Sequence, residues 1–308
     1  MPFIDGDLTF NFIGNEIFKT RIIVFAIISH CLTCTSFCTT VENIPECKEE
    51  NGGKYMDVSH IVKKINELFN VTSKEIFSNE SGITYHAGKK VKKLGYCVNL
   101  TLETIEEARI HGVDMMVTHH DAWDEIYGLK EACRERLEEY GISHYYNHLP
   151  LDDCNFGTND SLLKKLNLEN VKRTHQWEGL YFGRVAEYDE EIEFNELVKK
   201  IENLLEEPVK SWKFNDEKVK RVGLVCGNGG PTDCLKEAVE NKCDVYITGE
   251  CNLYTIQYAQ FKGINLIIGS HTFTEFFGIQ SLALKLNENI KELEIVRLNE
   301  EHYEANIK

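Results

Sequence analysis

Positive charge is scarce in this 308-residue chain: 34 Lys and Arg stand against 50 Asp and Glu, a formal net charge of −16. That balance excludes a nucleic-acid partner held through a broad basic face, because phosphate binding draws on clustered Lys and Arg. A long apolar run is missing too. Arg21-Ile-Ile-Val-Phe-Ala-Ile-Ile-Ser-His-Cys-Leu32 is too short, and too polar after Ile28, for a membrane span. No membrane partner is expected. Nor is there a disulfide framework. The eleven cysteines are an odd number, and seven are scattered from Cys97 to Cys251 through an α/β pattern, whereas a secreted disulfide scaffold is shorter and richer in loops. Reduced thiols and a cytoplasmic location are the expectation. No Ser or Cys stands out as a positioned nucleophile.

What is present is an ordinary globular composition, 42% hydrophobic and 27% charged, with length for one large or two ordinary domains. Residues 1–55 stand apart. The apolar run has the character of a signal-peptide core. Cys31-x2-Cys34 has zinc-site spacing, but Cys38 and Cys47 supply no second well-spaced pair. The favoured reading is an N-terminal extension, disordered or foreign to the mature domain. A fresh start follows at Met56, where Asp57 or Ser59 can cap a helix with Ile61, Ile65 and Leu68 at helical spacing.

From residue 94 the pattern is regular. Leu94–Val98 reads as a buried strand, Leu102–Ile110 as a helix and Val113–Val117 as a second strand ending at Thr118-His119-His120. This is the parallel crossover unit. It returns as Val222–Cys226, Thr232–Asn241 and Val245–Ile247, ending at Thr248-Gly249-Glu250. Glu107-Ala108, Asp114 and Thr118 recur at the same spacing as Glu237-Ala238, Asp244 and Thr248. We therefore expect an α/β fold of two related lobes, residues 56–175 and 176–308. Strands Ile264–Ile268 and Leu293–Arg297, with a helix over Phe273–Leu286 between them, are expected to complete the second lobe.

Ligands of open parallel sheets gather beyond the carboxyl ends of strands. His119 and His120 fall at such an end, His271 at another, and Asp152 follows the strand Ile142–Tyr146. Adjacent histidines in an extended chain point different ways, which suits two neighbouring metals better than one. His271 and Glu275 are four residues apart and share one face of a helix. Imidazole plus carboxylate suits Zn, Mn, Fe, Co or Ni. Alone, a His-His pair is more often structural, and an i, i+4 polar pair is common on helices. Three separate segments of ligand-type residues, each ending a strand pattern, favour a metal site holding two divalent ions. Gly227-Asn-Gly-Gly230 precedes a helix and could hold an anion on its backbone amides; an ordinary tight turn is the other reading.

At these residues the chain resembles the Nif-three-like dinuclear metal-binding family, also labelled GTP cyclohydrolase type-2-like. The motifs are Val117-Thr-His-His120, His148-Leu-Pro-Leu-Asp152, Gly157-Thr-Asn-Asp160, Gly227-Asn-Gly-Gly230, Asp244-Val-Tyr-Ile-Thr-Gly249 and Gly269-Ser-His-Thr-Phe-Thr-Glu275. The resemblance runs from Met56 to Lys308. It implies a dinuclear site in the cleft between two α/β lobes, usually in a ring-shaped hexamer. The implied ligands are His119, His120, Asp152, His271 and Glu275, with His148 close by as an orienting or proton-handling residue. Departures are Asp121 in place of a proline, Asn99 in place of a strand-ending aspartate, and only a faint echo of an early family motif at Ser78-Asn-Glu-Ser-Gly82. The leading functional expectation is a metal-dependent hydrolase of a nucleotide or phosphoester-like small molecule, with His148 as acid or base. The alternatives are a non-catalytic metal-binding regulator or scaffold, and a GTP cyclohydrolase.

Overall fold

The computed structural model describes residues 55–69 and 79–305. The apolar run at 21–32 and Cys31, Cys34, Cys38 and Cys47 lie outside the described residues. Helix α1 (Val58–Leu68) opens the described fold; Ile61 and Ile65 of the expected stripe are buried together with Val58, while Leu68 is partly buried. Asp57 sits at its N-cap without a side-chain cap bond, so tertiary burial rather than capping holds this helix.

The elements that follow are β1 (Ser81–Tyr85), β2 (Lys93–Asn99), α2 (Leu102–Ile110), β3 (Met115–His120), α3 (Leu129–Tyr140) and β4 (Ser143–Asn147). Next come α4 (Leu149–Asp153), α5 (Thr158–Lys165), β5 (Glu169–Trp177), β6 (Leu180–Ile192), α6 (Phe194–Leu205) and β7 (Lys210–Trp212). The last are β8 (Val219–Val225), α7 (Thr232–Glu240), β9 (Val245–Thr248), α8 (Leu253–Lys262), β10 (Asn265–Ile268), α9 (His271–Asn289) and β11 (Glu294–Arg297).

Two mixed sheets result, in the orders β1-β4-β3-β2-β11 and β5-β6-β8-β9-β10-β7. The inner strands β2, β3 and β4 are parallel, as are β8, β9 and β10. Strand β11, expected in the second lobe, instead pairs in parallel with β2 of the first sheet. The reason is one of free edges: antiparallel β7 already occupies the outer side of β10.

The duplication is real at the level of hydrogen bonds. Asp114 ahead of β3 accepts from the amides of Lys92 and Lys93 at 2.8 and 2.9 Å. Asp244 ahead of β9 accepts from Lys220 and Arg221 at 2.8 and 2.7 Å. Each aspartate ties the start of its strand to the neighbouring one. The repeated spacing therefore encodes strand register as well as a sequence pattern.

Both faces of each sheet are covered. Leu94, Tyr96, Val98, Met115 and Val117 face the same core as Val222, Leu224, Val245, Ile247 and Ile267, with α1, α5, α6 and α9 between them. Intervening residues such as Cys97 and Met116 turn to the opposite face, against Ile105, Ala108 and Leu137 of α2 and α3. Tyr246 and Leu266 likewise pack on Leu235, Ala238 and Ala259 of α7 and α8. Strands buried on both sides read as continuous apolar runs, which is why they were visible in the sequence. No helix among the described residues is long and apolar enough to cross a membrane. All seven described cysteines are free.

Candidate metal centre

Strand β3 delivers His119 and His120 to its carboxyl end, where both are buried. The strand pleat sends them toward opposite neighbours. The Nδ1 of His119 donates to the carbonyl oxygen of Asn147 on β4 at 2.9 Å. A carbonyl only accepts, so Nδ1 carries a proton and Nε2 is the ring atom left to face the cluster. The Nδ1 of His120 donates to Oδ1 of Asn99 at the end of β2, at 2.8 Å. Asn99 is held in this orientation because its Nδ2 donates to Thr272 Oγ1 and Glu300 Oε1, each at 3.0 Å.

Helix α9 supplies the opposing wall. It begins at His271 rather than at the expected Phe273, because Ser270 caps it by accepting from the Phe273 amide at 3.1 Å. His271 and Glu275 therefore sit one turn apart on one face. Glu250, after β9, accepts from His271 Nδ1 at 2.6 Å. Asp152 comes from α4, and its Oδ1 accepts from Thr158 Oγ1 at 2.6 Å. His148 lies just before α4, with Nδ1 bonded to Glu80 Oε2 at 2.7 Å.

The four imidazoles thus spend Nδ1 on an outer partner. His119 Nε2 lies 3.4 Å from Asp152 Oδ1 and 3.6 Å from Glu275 Oε2. His120 Nε2 and His271 Nε2 each lie 3.3 Å from the same Glu275 oxygen. The rings of His119 and His120 both stand near that of His148, at 5.2 and 5.1 Å between centroids. His119 Nε2, His120 Nε2 and Glu275 Oε2 are buried without any hydrogen-bond partner. Such groups cost about 1–3 kcal/mol each when left unsatisfied, and a cation is the partner that suits them all. His119, Asp152 and Glu275 form one set that could hold a metal ion, and His120, His271 and Glu275 another; within each, the ligand atoms lie within 4.8 Å of one another. His119, His120 and His148 form a third such set. Outer carboxylates and carbonyls orienting a ligating histidine are the usual support of a metal site.

The electrostatics agree. Burial opposes charge on His119, but Asp152 and Glu275 outweigh it and push the pKa up to about 10. On His271 burial is outweighed by Glu275 and Glu250, and the pKa rises to about 11. Burial holds His120 well below the usual range despite Glu275, assisted by the neighbouring imidazoles. Burial also opposes charge on Glu275, yet His271, His119 and His120 keep it well below the usual carboxylate range. Among the described residues, Asp152 and Glu275 form their ion pairs with imidazoles and not with Lys or Arg. The cluster is a buried anionic site calling for positive charge.

Gly227 shows how tightly it is built. Its φ is +62°, and a Cβ there would fall 2.0 Å from Glu275 Oε1. Its carbonyl accepts from the amides of Gly249 and Glu250, both at 3.0 Å, which sets Glu250 behind His271. The anion-binding reading of this loop does not hold for Gly227 and Gly229. Their amides donate to Thr274 Oγ1 and Thr248 Oγ1, each at 3.0 Å. A cavity of about 370 Å³ opens on the cluster, lined by His148, Asp152, His271 and Glu275 together with Trp177 and Phe182.

The structure brings all six sequence-derived residues together. Sequence reasoning missed Glu250, Glu80, Thr158 and the supporting role of Asn99. One signal existed for Glu250: it ends the duplicated strand at the position where His120 ends the first. Trp123 packs at 4.4 Å between ring centroids from His120, whereas Trp177 is 51% exposed.

An α/β protein with two sheets and an imidazole–carboxylate cluster at the strand ends of both is a defined class. The chain belongs to the Duf34/NIF3 (NGG1p interacting factor 3) family, whose model matches residues 56–303. It is 32% identical over 239 residues to a Pyrococcus horikoshii protein named "GTP cyclohydrolase 1 type 2 homolog", covering 76% of this chain and 94% of that protein. It is 28% identical over 218 residues to yeast (Saccharomyces cerevisiae) "NGG1-interacting factor 3", covering 62% and 73%. A solved structure described as "Reduced HcgD from Methanocaldococcus jannaschii" matches with a TM-score of 0.68 and 26% identity, over 80% of this chain and 99% of that one. A Bacillus cereus protein related to NIF3 matches with a TM-score of 0.70 at 15% identity, over 83% and 100%, a likeness of fold.

Proposed function

We propose that the cluster is a dinuclear metal centre and that the protein is a metal-dependent hydrolase of a nucleotide or phosphoester-like small molecule. The observation that carries this is the convergence of three imidazole Nε2 atoms on one buried oxygen of Glu275. Glu275 is common to two ligand sets and would be the residue they share. His119 and Asp152 would complete one position, His120 and His271 the other. When bound, a divalent pair supplies Lewis acidity to substrate oxygens and acidifies water for attack. The ligand types suit Zn, Mn, Fe, Co or Ni.

The chain's own residues supply the rest. His148 belongs to a set with His119 and His120 while Glu80 holds its Nδ1, which leaves Nε2 to move a proton. Glu250, Asn99 and the Asn147 carbonyl fix the ligand rings, so no reorganisation is needed on binding. We also assign the protein to a reducing, cytoplasmic compartment and to a ring of six copies.

The test is elemental analysis of gently purified protein, expected to give two ions per chain, followed by a nucleotide and phosphoester panel. Wild type should release phosphate or another hydrolysis product and His120→Ala should not. Equal inertness of the two across the panel would refute hydrolysis. Two other readings each have a relative in their favour. Similarity to the yeast factor supports a metal-binding regulator or scaffold, which predicts a metal-dependent protein partner without turnover. Similarity to proteins named as cyclohydrolase homologues supports GTP ring opening, which predicts formate release from GTP by the metal-loaded protein.

A further inference from the structure

We propose that the β5–β6 hairpin forms the specificity wall of the cluster's cavity and takes the planar heteroaromatic ring of a nucleotide, with the phosphoester end facing the metal centre. This rests on the hydrolase reading and names the substrate class of the same site. The cavity of about 370 Å³ is lined by His148, Asp152, His271 and Glu275 and also by His175, Trp177 and Phe182. That volume is within the range of small-molecule pockets.

The hairpin is built to hold this wall. Its two turn residues, Glu178 and Gly179, have φ of +47° and +91°, the twist that two-residue hairpins favour. The register pairs Trp177 with Leu180 and puts Trp177 beside the turn. Trp177 and Phe182 lie 6.1 Å apart between ring centroids, tilted by 48°. Two residues before Trp177, His175 has φ of +53°, a region that side-chain-bearing residues rarely enter. Glu237 of α7 holds it there: the His175 amide donates to Glu237 Oε2 at 2.5 Å, and Nδ1 lies 3.5 Å from Oε1. Backbone strain held by its surroundings is a feature of binding sites. The duplicated position, Glu107, has a different use, lying 3.5 Å from His111 on its own helix segment. The tie to a hairpin thus belongs to the second unit alone.

The lining chemistry selects a ring with polar edges. Asn228 and Asp233 line the same cavity. These side chains can meet the polar edge of a ring, and a nucleobase stacks on aromatic faces and hydrogen-bonds at its edge. A second cavity, of about 520 Å³, reaches His271 from another side, but Glu103, Glu250, Glu301 and Glu304 line it. Four carboxylates disfavour a phosphoester by like-charge repulsion, so the hairpin cavity is the substrate's side.

Equilibrium dialysis of metal-loaded protein with AMP and with ribose 5-phosphate tests the wall without relying on turnover. AMP should bind at least tenfold tighter. Trp177→Ala should weaken AMP binding by roughly 10–100-fold, leave ribose 5-phosphate binding and metal content unchanged, and be largely rescued by Trp177→Phe. Adenosine should bind chelator-treated wild type and not Trp177→Ala. Equal affinity for AMP and ribose 5-phosphate, or AMP binding indifferent to Trp177→Ala, overturns the proposal. Hydrolysis with no preference for ring-bearing substrates refutes the wall alone. A protein that prefers AMP through Trp177 yet hydrolyses nothing refutes the hydrolase alone.

Discussion

Replacing His120 by Ala separates a metal ligand from a core histidine, because the two roles respond oppositely to a chelator. In metal-free protein the change loses the bond to Asn99 and packing against His119 and Trp123. It also removes a buried Nε2 with no hydrogen-bond partner. The lost bond is worth about 1 kcal/mol and the emptied ring volume about 2–5 kcal/mol, while removing the unsatisfied atom returns about 1–3 kcal/mol, so in chelator the variant should lose between about 0 and 5 kcal/mol. With metal present the balance differs. A site filled at a hundred times its Kd stabilises the fold by about 2.7 kcal/mol. At roughly 2–4 °C per kcal/mol for a domain of this size, that is about 5–11 °C in Tm. The set of His120, His271 and Glu275 loses one of its three ligands, so His120→Ala should forfeit one such increment and bind one ion per chain. Thermal melts with chelator and with Zn or Mn, paired with elemental analysis, give the answer. An undiminished metal increment with two ions in the variant would refute the assignment. An equal fall in Tm with and without metal would make His120 a packing residue.

Three more outcomes follow from the same geometry. In chelator, the folded pKa values of His119 and His271, about 10 and 11, exceed the usual 6.5. Their protonation therefore stabilises the fold fully below about pH 6.5, and this is lost as pH rises through 10 and 11. Urea midpoints of chelator-treated protein should fall between about pH 7 and 10, and Glu275→Gln should flatten the decline; midpoints that rise would contradict the sign. Glu250→Ala and Asn99→Ala free the rings of His271 and His120 and should weaken metal binding roughly 10–100-fold in competition with a chromophoric chelator, while unaltered affinity would remove their orienting role. Gly227→Ala puts a Cβ 2.0 Å from Glu275 Oε1 at a φ of +62°, so it should destabilise by at least about 1 kcal/mol and lower metal content; a fully loaded, equally stable variant would show that the loop yields.

The inner parallel strands were legible because burial on both faces makes them continuous apolar runs, and helix α2 was legible to the residue. Strand β1, helix α3 and strand β5 were not. β1 and β5 are partly buried or exposed strands, stabilised by pairing with β4 and β6, and α3 buries only Cys133 and Leu137. Their signals depend on partners distant in the chain, which local periodicity does not register. The same limit hid Glu80 and Glu250, whose roles arise from contacts with His148 and His271 across 68 and 21 residues.

Local chemistry was the sequence's part: which residues can hold a cation, the strand ends they occupy, and the duplicated aspartate that sets register, all written in spacings of a few residues. The tertiary structure decided what depends on long-range pairing. It sent β11 to the first sheet because β7 had taken the edge of β10. It turned four imidazoles so that Nδ1 faces a fixed partner and Nε2 the centre, and it laid a strained hairpin beside them. A buried imidazole nitrogen without a hydrogen-bond partner exists only when segments far apart in sequence close around it, and no single stretch of chain carries that information.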